Sequence, residues 1–86
     1  MTPHFLTFEV SKDQDEVIVH ADERGLRFLA QVASRLADTI ANGECDHTHL
    51  MTEEWGGDEL SAERQGTDST LVHHVKVIGR SKSDAA

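Results

Sequence analysis

The period of the apolar positions changes along the chain, and each change marks an element. His4-Phe5-Leu6-Thr7-Phe8-Glu9-Val10 is rich in β-formers, Ser11-Lys12-Asp13-Gln14-Asp15 is polar, and Glu16-Val17-Ile18-Val19-His20 is β-branched. Two such runs around a polar turn predict a hairpin. The period then becomes helical. Leu26, Leu29, Val32, Ala33, Leu36 and Ile40 recur at intervals that place them on one stripe, with Arg27, Gln31, Ser34, Arg35 and Asp38 left to face water. Asp22 is a suitable N-cap, because its carboxylate can accept the free amides of the first turn. Asn42-Gly43 supplies the stop, since glycine enters the left-handed region at little cost. Gly25 falls in the first turn, where it costs up to about 1 kcal/mol relative to alanine. A close approach of helix and sheet would explain its presence.

Alternation returns in Asp46-His47-Thr48-His49-Leu50-Met51-Thr52. It appears again in Thr70-Leu71-Val72-His73-His74-Val75-Lys76-Val77-Ile78, which ends at Gly79. Both read as strands. Between them, Glu53 to Ser69 is polar, acidic and glycine-bearing. Connections longer than about 12–15 residues without structure are uncommon and often functional. Glu59-Leu60-Ser61-Ala62-Glu63-Arg64 is expected to make a short helical turn inside it. The order ββαββ predicts an α+β domain over 1–80: a small, mainly antiparallel four-stranded sheet with one main helix packed on one face. The other face is then solvated or paired with a second subunit. Strand order stays open, and 81–86 is expected to be a frayed tail.

Length limits what such a domain can hold. A chain of 86 residues has room for one helix on one sheet, not for a substrate cavity walled on all sides. No apolar run approaches the ~20 residues of a membrane-spanning helix, and the start of the chain lacks a signal-peptide pattern. Cys45 is the single cysteine, which excludes an intrachain disulfide and favours a reducing compartment. These features point to the cytoplasm.

Charge changes the picture more. The formal net charge is -8, which disfavours nucleic acid, because an acidic protein repels phosphates. The excess is local. Residues 44–68 carry Glu44, Asp46, Glu53, Glu54, Asp58, Glu59, Glu63 and Asp68 against Arg64, while the helix is balanced and the last strand slightly basic. The same segment holds the only tryptophan, Trp55. A tryptophan ringed by carboxylates can anchor an interface and select a basic partner; tucked under its own loop, it would merely plug the core. Gly56-Gly57 predicts a tight turn or positive φ beside it.

The histidines offer the alternative chemistry. His47 and His49 share a strand face, and His73 or His74 could lie opposite, a workable but weakly supported zinc arrangement. A metal-binding or hydrolytic enzyme is therefore the second reading. A structural dimer joined through the uncovered sheet face is the third. No nucleophile elbow surrounds Ser61 or Ser69, and Gly56-Gly57 lacks the Lys-Ser/Thr of a phosphate loop.

Three stretches carry a family resemblance: Gly25-Leu26-Arg27-Phe28-Leu29-Ala30, His47-Thr48-His49-Leu50-Met51-Thr52-Glu53-Glu54-Trp55-Gly56-Gly57-Asp58-Glu59-Leu60-Ser61, and Val72-His73-His74-Val75-Lys76-Val77-Ile78. Over residues 17–79 the chain resembles immunity protein family 32, small α+β proteins that protect bacteria from polymorphic toxins. The resemblance implies a non-catalytic protein that binds and neutralises a cognate toxin. It assigns no catalytic residue, cofactor or metal. Combined with the charge map, it makes Glu53, Glu54, Trp55, Gly56, Gly57, Asp58 and Glu59 the candidate partner-binding residues, and a basic protein surface the expected partner. A homodimer stays open.

Overall fold

The computed structural model describes residues 4–81. The expected tail at 82–86 lies outside them. The described residues form an α+β arrangement in the order ββαβ followed by two short consecutive strands. These are β1 Leu6–Val10, β2 Val17–Ala21, helix α1 Glu23–Ala41, β3 Asp46–Met51, β4 Thr70–Val72 and β5 His74–Gly79. A one-turn 3-10 helix, Glu53–Trp55, follows β3. β1 pairs antiparallel with β2 and with β4, and β3 pairs antiparallel with β5.

The last predicted strand is therefore two strands, and the single sheet is two. One has the order β2-β1-β4, and the other is the ribbon β3-β5. The break at His73 has a cause in the loop. Beyond the Phe8–Val72 pair, the ladder would next need the backbone of Leu6. Ser61 has taken it: the Leu6 amide donates to Ser61 Oγ at 3.1 Å, and the Ser61 amide donates to the Leu6 carbonyl at 2.7 Å. The chain after Val72 leaves β1 and pairs with β3 instead. The expected helical turn over Glu59–Arg64 does not form, because this stretch is spent on hydrogen bonds to the sheet.

Helix α1 starts as its sequence predicts. Asp22 Oδ1 accepts the amides of Gly25 at 2.7 Å and of Phe5 at 3.1 Å, so one cap ties the helix start to the chain entering β1. The buried helical positions are Gly25, Val32 and Leu36, with Phe28 and Leu29 packed against the core. Leu26 is 55 % exposed and Ala33 is exposed, contrary to the predicted stripe. The first turn faces the sheet through glycine: a Cβ at Gly25 would collide with the Phe5 carbonyl and lie 3.1 Å from Ala21 Cβ. The neighbouring Leu26, about 100° further round, is turned to solvent.

The core is Leu6, Val32, Leu36, Leu50 and Leu60, each side chain contributing about 1.5–3 kcal/mol by burial. Leu60 belongs to the long loop, so the loop is part of the fold. Its second half also covers the sheet face opposite the helix. Glu9, fully buried on β1, accepts the Gln65 amide at 2.8 Å, the Gly66 amide at 3.0 Å, Thr7 Oγ1 at 3.2 Å and the Ser69 hydroxyl. Around β1 that face is closed by the chain itself, not by solvent or a second subunit.

Candidate functional site

Thr52 organises the acidic loop. It is buried at the end of β3, and its amide donates to the His73 carbonyl at 3.0 Å. Its carbonyl accepts the amides of Trp55 at 2.9 Å and Gly57 at 3.0 Å. Its Oγ1 lies 2.7 Å from His73 Nδ1. These bonds fold Glu53-Glu54-Trp55 into a single turn. Gly56 ends the turn with φ 91°, the left-handed conformation that glycine reaches without penalty. Gly57 serves a different purpose: a Cβ there would come within 2.7 Å of the Met51 carbonyl.

This scaffold holds Trp55 out. Its side chain is 57 % exposed, so it is not a core plug. Its ring lies nearly parallel to His73 at 6.5 Å and tilted against His74 at 5.9 Å. Around it Glu53, Glu54 and Asp58 are exposed, whereas Glu59 is only half-exposed. Glu59 is turned inward: its Oε1 accepts the Met51 amide at 3.0 Å, and its carbonyl faces His4 Nε2 at 2.7 Å. Of the seven candidate residues, Gly57 and Glu59 are thus committed to holding the loop, and Gly56 to its turn. Glu53, Glu54, Trp55 and Asp58 form its outward surface.

The histidines extend that surface along the ribbon. The register sets His49 opposite Lys76 and Met51 opposite His74. With side chains alternating between faces, His47, His49, Met51, His74, Lys76 and Ile78 share the side away from Leu50 and the core. His49 Nδ1 and His74 Nε2 are 2.7 Å apart, and His47 packs edge-on to His49 at 5.0 Å. Burial, then the nearby His74, His47 and Lys76 charges, push the pKa of His49 below its ordinary value. His73 is not part of this row. It is held by Thr52, and its Nε2 lies 3.8 Å from Glu54 Oε2. His49 and His74 use their facing nitrogens on each other. Among the described residues no group of three or more His, Cys, Asp or Glu side chains is placed to hold a metal ion. The surface hollows lined by Arg27, Ala30, Gln31 and Ser34 and by Ser11, Glu16, Ile18 and Ser69 do not reach this surface.

A shaped loop presenting an aromatic side chain and carboxylates suits recognition more than chemistry, and one comparison decides the family. The family model described as Immunity protein 32 matches residues 16–75. The chain belongs to that family. The match takes in β2, the helix, β3, the whole Trp55 loop, β4 and the first two residues of β5. It carries an immunity-type role for the protein. No curated protein and no solved structure matches the chain. Among the described residues of this Immunity protein 32 member, no helix is long and apolar enough to cross a membrane.

The sequence signals for Thr52 and Ser61 lay inside the family stretch, but their tasks were not readable there. Both are small hydroxyl residues whose partners, His73 and Leu6, are far away in the chain. Glu9 gave even less signal, since a lone acid in a β-run normally faces solvent.

Proposed function

We propose that this immunity-family protein is non-catalytic and neutralises a cognate bacterial toxin by binding it through the Trp55 loop. The observation that carries the reading is Trp55 itself, 57 % exposed on a turn fixed by Thr52 and Gly56 and bordered by Glu53, Glu54 and Asp58. Its contacts with His73 and His74 leave more than half of the residue in water, apolar surface that a bound partner would cover. An anchor residue ringed by charge is the arrangement that interfaces use. The carboxylates select a basic face on the toxin and speed encounter with it. Residues 1–80 act here as one domain, in the cytoplasm.

The test is co-expression with the toxic product of the neighbouring gene. Wild type is expected to restore growth. Trp55→Ala combined with Glu53→Lys, Glu54→Lys and Asp58→Lys is expected to lose protection while keeping its circular dichroism spectrum. A central tryptophan typically contributes at least about 2 kcal/mol, or roughly 30-fold in affinity. Full protection by the folded quadruple variant would move the interface elsewhere.

A further inference from the structure

β2 is an outer strand, with no strand beyond it among the described residues. The hairpin register tells which of its backbone groups are used. The Ser11 amide donates to the Glu16 carbonyl at 2.9 Å and the Asp22 amide to the Phe5 carbonyl at 3.1 Å. Antiparallel ladder bonds alternate along a strand, so Glu16, Ile18, His20 and Asp22 direct their backbone groups to β1. The N–H and C=O groups of Val17, Val19 and Ala21 point away from the sheet.

Exposed edges are normally blunted by lysine, proline, a bulge or a covering segment. The strand Val17-Ile18-Val19-His20-Ala21 contains no lysine and no proline, and it pairs with β1 without interruption over five residues. Two of its side chains are instead apolar and uncovered: Val17 is 65 % and Val19 41 % exposed. They lie on the same face. Such an edge is complementary to a copy of itself in one register.

We propose that β2 is a dimerisation edge, where two copies of the chain join antiparallel about a twofold axis at Ile18 and turn two three-stranded sheets into one of six. With the axis at Ile18, Val17 stands opposite Val19 of the second copy. Each such pair exchanges two N–H···O bonds, and the pair occurs twice. The valines then cover one another. Glu16 falls opposite His20 of the second copy, in the closer, non-hydrogen-bonded type of pair, where it meets no like charge. An axis at Val19 would set Glu16 against Asp22 of the second copy, acid on acid. The charge pattern therefore selects the register. The contact is short, below the ~1,200 Å² of standard interfaces, so the dimer is weak and concentration-dependent. Because each copy carries net charge -8, salt strengthens the association by screening repulsion.

Sedimentation equilibrium of the tag-free chain tests this, from about 5 µM to about 1 mM, a span suited to weak association. The mass is expected to rise towards that of two chains, and to do so at lower concentration in high salt. Val19→Pro removes an outward N–H and leaves the β1 ladder intact; Val17→Lys adds the missing edge charge at an exposed position. Both are expected to remain monomeric, and Val17→Lys keeps the test sound if the proline variant does not fold. In a Cys45→Ser background, Ile18→Cys is expected to form an intermolecular disulfide under mild oxidation and Val19→Cys to form none. A monomeric mass throughout, a dimer that survives Val17→Lys, or cross-linking through Val19→Cys instead of Ile18→Cys would overturn the proposal. Toxin neutralisation through Trp55 does not depend on the outcome.

Discussion

Replacing Glu9 by glutamine changes one oxygen to an amino group and should unfasten the second half of the long loop. Each carboxylate oxygen serves two donors. Oε1 accepts from the Gly66 amide and the Ser69 hydroxyl, and Oε2 from the Gln65 amide and the Thr7 hydroxyl. Whichever oxygen becomes NH2, one hydroxyl can rotate away but one backbone N–H is left facing a donor. A buried donor without its acceptor costs about 1–3 kcal/mol, and the surviving bonds lose their charge-assisted strength, about 1 kcal/mol more. The expected loss is about 2–4 kcal/mol. For a domain of this size each kcal/mol moves Tm by roughly 4–8 °C, so melting should fall by about 8–32 °C at pH 7.

The pH dependence gives a second readout of the same group. Burial alone would raise the Glu9 pKa, but the Ser69, Gln65, Gly66 and Thr7 donors outweigh it and bring it from 4.5 down to about 2. A carboxyl lowered in the folded state adds stability that is fully present above its unfolded value. That stability is lost as pH falls through the folded one. Wild type should therefore weaken between pH 4.5 and about 2, and Glu9→Gln should show a shallower decline there. Asp22, whose pKa is lowered by the Gly25 and Phe5 amides, keeps part of the slope in both proteins. Urea unfolding followed by circular dichroism measures both effects. A Glu9→Gln variant within about 0.5 kcal/mol of wild type at pH 7, the usual range for surface substitutions, would refute the assignment of Glu9 as the loop's anchor.

Gly25→Ala should destabilise despite alanine's higher helix propensity, because the new methyl meets the Phe5 carbonyl; overpacking of about 1–3 kcal/mol should exceed the gain of up to about 1 kcal/mol in urea titrations. Gly56→Ala meets no neighbour within 4 Å but must hold φ 91°, so it should cost about 1–2 kcal/mol and alter Trp55 fluorescence. His49, lowered first by burial and then by His74, His47 and Lys76, should titrate by NMR below 6.5. Its protonation then favours the unfolded chain, so its contribution weakens stability as pH falls through 6.5 towards the folded value.

The elements governed by near neighbours were legible in the chain. Asp22 caps the helix as its position predicts, the hairpin forms around Ser11–Asp15, and Gly56 takes the positive φ expected beside Trp55. What could not be read depends on contacts distant in sequence. The division of the final strand at His73 depends on Ser61 occupying Leu6. The burial of Glu9 depends on amides 56 and 57 residues away. Leu26 misled for a related reason: the helix face is centred on Gly25, which carries no hydrophobic signal, so the apparent stripe was displaced at its first turn. The candidate loop was locatable from charge and tryptophan. Its division into supporting and outward residues was not, because Glu53 and Glu59 differ only in what lies near them.

That division bears on how the acidic segment would act. Glu44 and Asp46 stand at the start of β3, Glu53 and Glu54 just past its end. At ~3.4 Å per residue, a six-residue strand sets the two groups about 20 Å apart, more than twice the ~8 Å screening length at physiological salt. A toxin centred on Trp55 would touch the second pair and only feel the first. Neutralising Glu44→Gln with Asp46→Asn should slow association a few-fold at low salt, where the screening length reaches about 30 Å, and little at physiological salt, with dissociation unchanged. Neutralising Glu53→Gln with Glu54→Gln should instead speed dissociation, as loss of direct contacts does. Binding kinetics against the immobilised toxin at two salt concentrations separate these outcomes. Equal effects of both pairs on dissociation would mean that the contact extends along the whole ribbon. The row of His47, His49, His74 and Ile78 would then belong to the interface with Trp55, not beside it.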